Sequence, residues 1–116
     1  MEVPCRTPSG TDPAPRLTVF PLPDGSGLRV GGEVGLATLA QWEGALSRAA
    51  REARPVYRLE LSALTFVDVA GTDALAAAAQ SLEEGRRIVL QQPPVSLRRL
   101  LDLFWPGIPT IEVPSS

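Results

Sequence analysis

Between residues 17 and 113 the chain alternates two apolar patterns, one of period two and one near 3.6, and this alternation constrains the fold more than any other feature. In Val56-Tyr57-Arg58-Leu59-Glu60-Leu61 the period is two, so Tyr57, Leu59 and Leu61 face one side of a strand while Arg58 and Glu60 face the other. From Thr38 onward apolar residues recur at Leu39, Trp42, Leu46, Ala49, Ala50 and Ala53, a helical spacing with Gln41, Glu43, Arg48, Arg51 and Glu52 on the outer face. That helix ends before Pro55. Residues 17–20 and 28–30 read as short strands on either side of the turn-rich Pro21-Leu22-Pro23-Asp24-Gly25-Ser26-Gly27, giving a hairpin.

A second helix is expected over residues 73–84, rich in Ala and Leu, with Thr72 or Asp73 as N-cap and Gly85 as its C-terminal stop. Residues 87–90 form the next strand. Pro93-Pro94 opens a helix with Leu97, Leu100, Leu101 and Phe104 on one face, Pro106-Gly107 ends it, and residues 110–113 add a last strand. The order β-β-α-β-α-β-α-β, with short connections, calls for an α/β fold: a mixed, mainly parallel sheet of four to five strands with right-handed crossovers. Its helices are expected chiefly on the Tyr57, Leu59, Leu61 face, leaving the other face less covered. At 116 residues the length fits one domain, placed at residues 16–113. Residues 1–15, with four prolines and no apolar period, read as a disordered Pro-rich leader.

Composition removes whole mechanisms. There is no His, there is one Cys, and all eleven basic residues are Arg. Without His, Ser/His and Cys/His catalytic pairs and ordinary zinc sites are excluded. Without Lys, so are a Walker phosphate loop, a Schiff base and a lysine partner for a phosphorylated aspartate. A net charge of −2 gives no electrostatic footprint for nucleic acid or acidic membranes, and no secretory or membrane-spanning segment is read from the sequence. Cys5 cannot form an internal disulfide, which is compatible with a reducing compartment. The expectation is a cytoplasmic protein without a metal or other cofactor.

Phe66-Val67-Asp68-Val69-Ala70-Gly71-Thr72 joins a strand-like run to a helical one. Asp68 is the segment's one ionisable group, and Gly71 frees the backbone where a helix must begin, so backbone and carboxylate are presented at the rim of the sheet. Asp68 has two readings: a partner-facing or Mg-assisting carboxylate, or a side chain bonded to the amides of Ala70, Gly71 or Thr72. Thr72 at a helix start reads as a cap rather than a modification site. Trp42, on an amphipathic helical stripe, and Trp105, at a helix end beside Pro106, have two readings, binding anchors or packing, and Trp42 reads as core or edge packing. The Arg86-Arg87 and Arg98-Arg99 pairs read either as solvated ends or as a patch for acidic groups.

The element order, Gly32-Glu33-Val34 before the first helix, Leu59-Glu60-Leu61-Ser62 leading into Phe66 to Gly71, and the late helix together resemble the STAS domain family, the fold of bacterial anti-sigma factor antagonists. The resemblance spans residues 17–113. It implies a regulatory protein that binds a partner at the rim, where members usually carry Asp-Ser-Ser/Thr-Gly and a kinase doubling as an anti-sigma factor phosphorylates the first Ser. This chain departs from the pattern: Val69 stands at the phosphoacceptor position, Ala70 at the second hydroxyl position, and Gly35 where many members have Asp. The implied partner-binding residues are Asp68, Val69, Ala70, Gly71, Thr72, Glu33 and Gly35, with no phosphoacceptor.

Three function classes follow. One is an interaction module for transcription regulation and signalling, a monomer or weak dimer. Its partner would be an anti-sigma factor, a histidine-kinase-like ATPase or a sensory-domain protein, and the usual phosphorylation switch would be missing. Another is a sensor of a nucleotide or small molecule. An enzyme is the third, and it finds only scattered carboxylates and hydroxyls.

Overall fold

In the computed structural model, which describes residues 16–52 and 54–114, six strands form one sheet with three α-helices. The elements in chain order are β1 (Leu17–Pro21), β2 (Gly27–Val34), α1 (Leu39–Arg51), β3 (Val56–Glu60), β4 (Leu64–Val67), α2 (Val69–Gln80), β5 (Arg87–Gln91), α3 (Val95–Phe104) and β6 (Ile111–Glu112). The fold is therefore α/β, with a mostly parallel sheet, as the alternation of patterns implies. The expected leader at residues 1–15, and Ala53, lie outside the described residues.

Strand β2 organises the sheet. Antiparallel β1 runs along one of its edges, from Leu17↔Gly32 to Pro21↔Leu28, and β3 (Leu28↔Leu59) and β4 (Val34↔Val67) are both parallel to it. The Glu33 amide bonds to the Arg16 carbonyl on the β1 side, and the Gly32 amide to the Ala63 carbonyl on the opposite side. Successive amides of a strand point to opposite edges, so β3 and β4 lie one after the other along the same edge of β2. The register shifts between Gly32 and Glu33. Gly32 has a φ of +105°, and a Cβ there would run into the Arg16 carbonyl, so this irregularity requires glycine. Beyond β3 the sheet continues through parallel β5 and β6.

Several boundaries correct the sequence reading. Strand β4 replaces an expected loop, and β2 is eight residues long rather than three. Helix α2 starts at Val69, capped by Asp68, not by Thr72 or Asp73. It ends at Gln80, where the hydroxyl of Ser81 bonds back to the Ala78 carbonyl, well short of Glu84. Gly85 does adopt positive φ, but in the turn after the helix. β6 has only two residues.

The core lies between the sheet and the helices. Val30, Val34, Tyr57, Leu59, Ile88 and Leu90 from the strands, with Leu61 just past β3, meet Trp42, Leu46, Ala49, Leu75, Ala79 and Leu97 from the helices. The period-two reading of β3 holds: Tyr57, Leu59 and Leu61 are buried, while Arg58 and Glu60 are half-exposed on the other face. That face carries polar cross-strand pairs. Arg29 meets Glu60 at 3.5 Å and Arg87 meets Glu112 at 2.8 Å. Arg58 reaches both Asp24 and Gln91 at 3.2 Å. Exposed pairs of this kind stabilise little, but they give the uncovered face a solvated surface.

Arg86 has a structural task. Its guanidinium donates to the carbonyls of Ala49, Glu52 and Arg54, satisfying acceptors at the C-terminal end of α1. Arg86 and Arg87 are thus both engaged within the fold, whereas Arg98 and Arg99 are exposed on α3.

Candidate functional site

Because β2, β4 and β5 are parallel, the segments that follow them emerge at one rim of the sheet, the usual place for function in such folds. Val34 and Val67 are in register, and the Asp68 amide bonds to the Val34 carbonyl at 3.1 Å, so the two exits begin side by side. After β2, Gly35 opens a short 3-10 turn, Leu36–Thr38. The buried Thr38 hydroxyl shapes it, accepting from the Gly35 amide (3.0 Å) and donating to the Glu33 carbonyl (2.7 Å). After β4, Asp68 caps α2, and its Oδ1 accepts the Gly71 amide at 2.8 Å. The local structural reading of Asp68 is therefore realised, and Gly71 is its partner.

Gly71 and Thr72 lie beneath the rim. A Cβ on Gly71 would stand 2.5 Å from Val34 Cγ1 and 2.9 Å from Val67 Cγ1, so glycine lets the first turn of α2 settle onto both strands. The Gly71 carbonyl accepts the indole N–H of the buried Trp42 at 2.8 Å, which ties α1 to the same turn. Thr72 is fully buried, and its hydroxyl donates to the Asp68 carbonyl at 2.9 Å. From the other side, the Val67 amide donates to Ser96 Oγ of α3 at 3.1 Å. The loop is thus held by three helices at once.

What remains at the surface is apolar with acidic flanks. Leu36 stands two residues beyond Val34 and is 93% exposed; Val69 stands two residues beyond Val67 and is 53% exposed. Phe66 is also exposed and sits in register with the exposed Glu33, and Ala70 and Asp73 are open to solvent. The sequence alone does not single out Leu36, since only the Val34↔Val67 register reveals that it shares a rim with Val69. Of the seven expected partner-binding residues, Glu33, Val69 and Ala70 are exposed, Gly35 and Asp68 half-exposed, and Gly71 and Thr72 buried. Among the described residues no group of three or more Asp, Glu, Cys or His could hold a metal ion, and no helix is long and apolar enough to cross a membrane.

The family model described as "Mlab, STAS domain" matches residues 22–104, a span containing every element from β2 to α3 and the whole rim. The chain belongs to the STAS domain family. In fold this STAS domain is similar to the crystal structure of an anti-sigma factor antagonist from Mycobacterium paratuberculosis. The TM-score is 0.66 and the identity 22%, over 76% of this chain and 77% of the other. No curated protein matches the chain. Within the STAS domain, Val69 is the first residue of α2, directly after the capping Asp68.

Proposed function

We propose that this STAS domain is a non-catalytic, anti-sigma factor antagonist-like regulatory protein of the bacterial cytoplasm. It docks a partner protein through the rim of Glu33, Gly35, Asp68, Val69 and Ala70, which Gly71 and Thr72 shape from below. The partner is an anti-sigma factor, a histidine-kinase-like ATPase or a sensory-domain protein. The observation that carries this reading is the exposed valine at the first position of α2. A phosphate at that helix start would add about 1.5 to 2 negative charges and change the binding state, and a valine has no oxygen to accept it. The nearby Thr72 hydroxyl offers no replacement, since it is buried and bonded to the Asp68 carbonyl. Docking is therefore constitutive, and control lies in protein abundance or in the partner.

The test is a pull-down from native lysate with wild type, Val69→Ser and Val69→Glu, read by mass spectrometry. Glu is compatible with an exposed helix N-terminus, so Val69→Glu keeps the fold. Wild type and Val69→Ser retain the same anti-sigma factor, kinase-like or sensory protein, and Val69→Glu loses it. If the retained protein is a kinase, Mg-ATP labels Val69→Ser at position 69 and leaves wild type unlabelled. Equal retention by Val69→Glu, or phosphate mapped to Thr72 or Ser62 of the wild type, overturns the reading.

A further inference from the structure

The outer side of α3 bears a pattern that is complementary to itself. At 100° per residue, Val95, Arg98 and Asp102 fall within an arc of about 60°, and the half-buried Trp105, just past the helix, lies at the margin of that arc on the side of the buried Leu101. Val95 is 65% exposed, Arg98 and Asp102 are exposed, and neither charge has an ion-pair partner among the described residues. An Arg four residues before an Asp is the less favourable order for pairing within one helix. Beside this stripe lies a cleft of about 180 Å³ between α3 and β6, lined by Leu101, Trp105, Ile108, Ile111 and Val113, with Arg98 and Asp102 on its lip.

We propose that this face is a self-association surface on which a second copy of the chain pairs antiparallel about a two-fold axis near Leu100. Reversing a helix about that point sets Arg98 against Asp102 of the other copy, and brings Val95 level with its Trp105. Both relations occur twice, as an isologous interface requires. Each copy's Val95 then covers the apolar cleft beside the other's Trp105, and the two Arg98–Asp102 pairs fix the register. A partner of one charge sign would leave half of this stripe unmatched, whereas a second copy matches all of it. One ten-residue helix and a small cleft make an interface below standard size, so the dimer is weak, with a Kd on the order of 10 µM to 1 mM.

Sedimentation of the full chain as wild type, Arg98→Glu, Asp102→Arg and an equimolar mixture of the two variants tests the arrangement. All substituted side chains are exposed, and circular dichroism checks that each variant is folded. Each variant alone places like charges face to face and raises the dimer Kd by more than about tenfold. The mixture restores association. Across the axis the glutamate carried by R98E then meets the arginine carried by D102R, while the native Asp102 of the first variant meets the native Arg98 of the second. A wild type that stays monomeric to about 1 mM, single variants that dimerise as well as wild type, or a mixture that fails to recover each overturns the proposal.

Discussion

The indole N–H of Trp42 donates a 2.8 Å hydrogen bond to the carbonyl of Gly71, joining the first turn of α1 to the first turn of α2 beneath the rim. Replacing Trp42 by Phe removes this bond and leaves a void in a fully buried site. The expected loss is about 2 to 4 kcal/mol, combining an unmet acceptor with lost packing. Urea unfolding followed by circular dichroism measures it, with the midpoint falling at unchanged slope.

Gly71 is the second contact in that arrangement. Gly71→Ala gains helix propensity of about 1 kcal/mol but drives a methyl group into Val34 and Val67, and overpacking of about 1 to 3 kcal/mol prevails. Val34→Ala in the same chain makes room for that methyl group. The double variant is therefore less destabilised than the sum of the two single changes, and a thermal-unfolding double-mutant cycle reads this coupling directly.

The carboxylate of Asp68 acts on α2 through one bond, which it accepts from the Gly71 amide. Asp68→Ala costs about 1 kcal/mol, while Asp68→Asn, another good N-cap, costs a few tenths. Equal losses for the two would mean that the negative charge, rather than the cap, is what the fold requires. Denaturant midpoints of the three proteins separate these cases.

Much of this is legible in the sequence. The period of two in β3 and the helical spacing at Trp42, Leu46 and Ala49 announce the faces that are buried. Strand β4 escapes because it is four residues long and its two middle residues are both exposed, so it shows no alternation. With β4 read as loop, the start of α2 falls four residues too late, and the Asp68 bond to the Gly71 amide reads as shaping a loop rather than as capping the helix. Leu36 escapes for a different reason. Exposure of a lone leucine leaves no trace in its own neighbours, and its place on the same rim as Val69 follows only from strand register.

Tyr57, the chain's one tyrosine, is buried in β3, and burial, reinforced by the negative charge of Glu52, raises its phenol above the ordinary value of about 10. An acid whose folded pKa is raised keeps its proton longer in the native state than in the unfolded one. Its contribution to stability is full below the unfolded pKa and is lost as pH rises above about 10. Absorbance titration near 295 nm sees this residue alone and should show ionisation displaced upward until unfolding exposes it. In Tyr57→Phe the alkaline loss of stability is smaller.

Strand β2 takes β1 on one edge and both β3 and β4 on the other, and this arrangement bears on how the chain emerges from the ribosome. The hairpin with β1 can close as soon as residue 34 is free, but the far edge of β2 waits for a segment that ends at Val67. Until then the nascent polypeptide carries a strand with one row of unsatisfied amides and carbonyls and with Leu28, Val30 and Val34 uncovered, the kind of edge that recruits a chaperone or a neighbouring chain. The rim therefore comes into being late in synthesis, and a product cut short before Val67 would be sticky and would lack it.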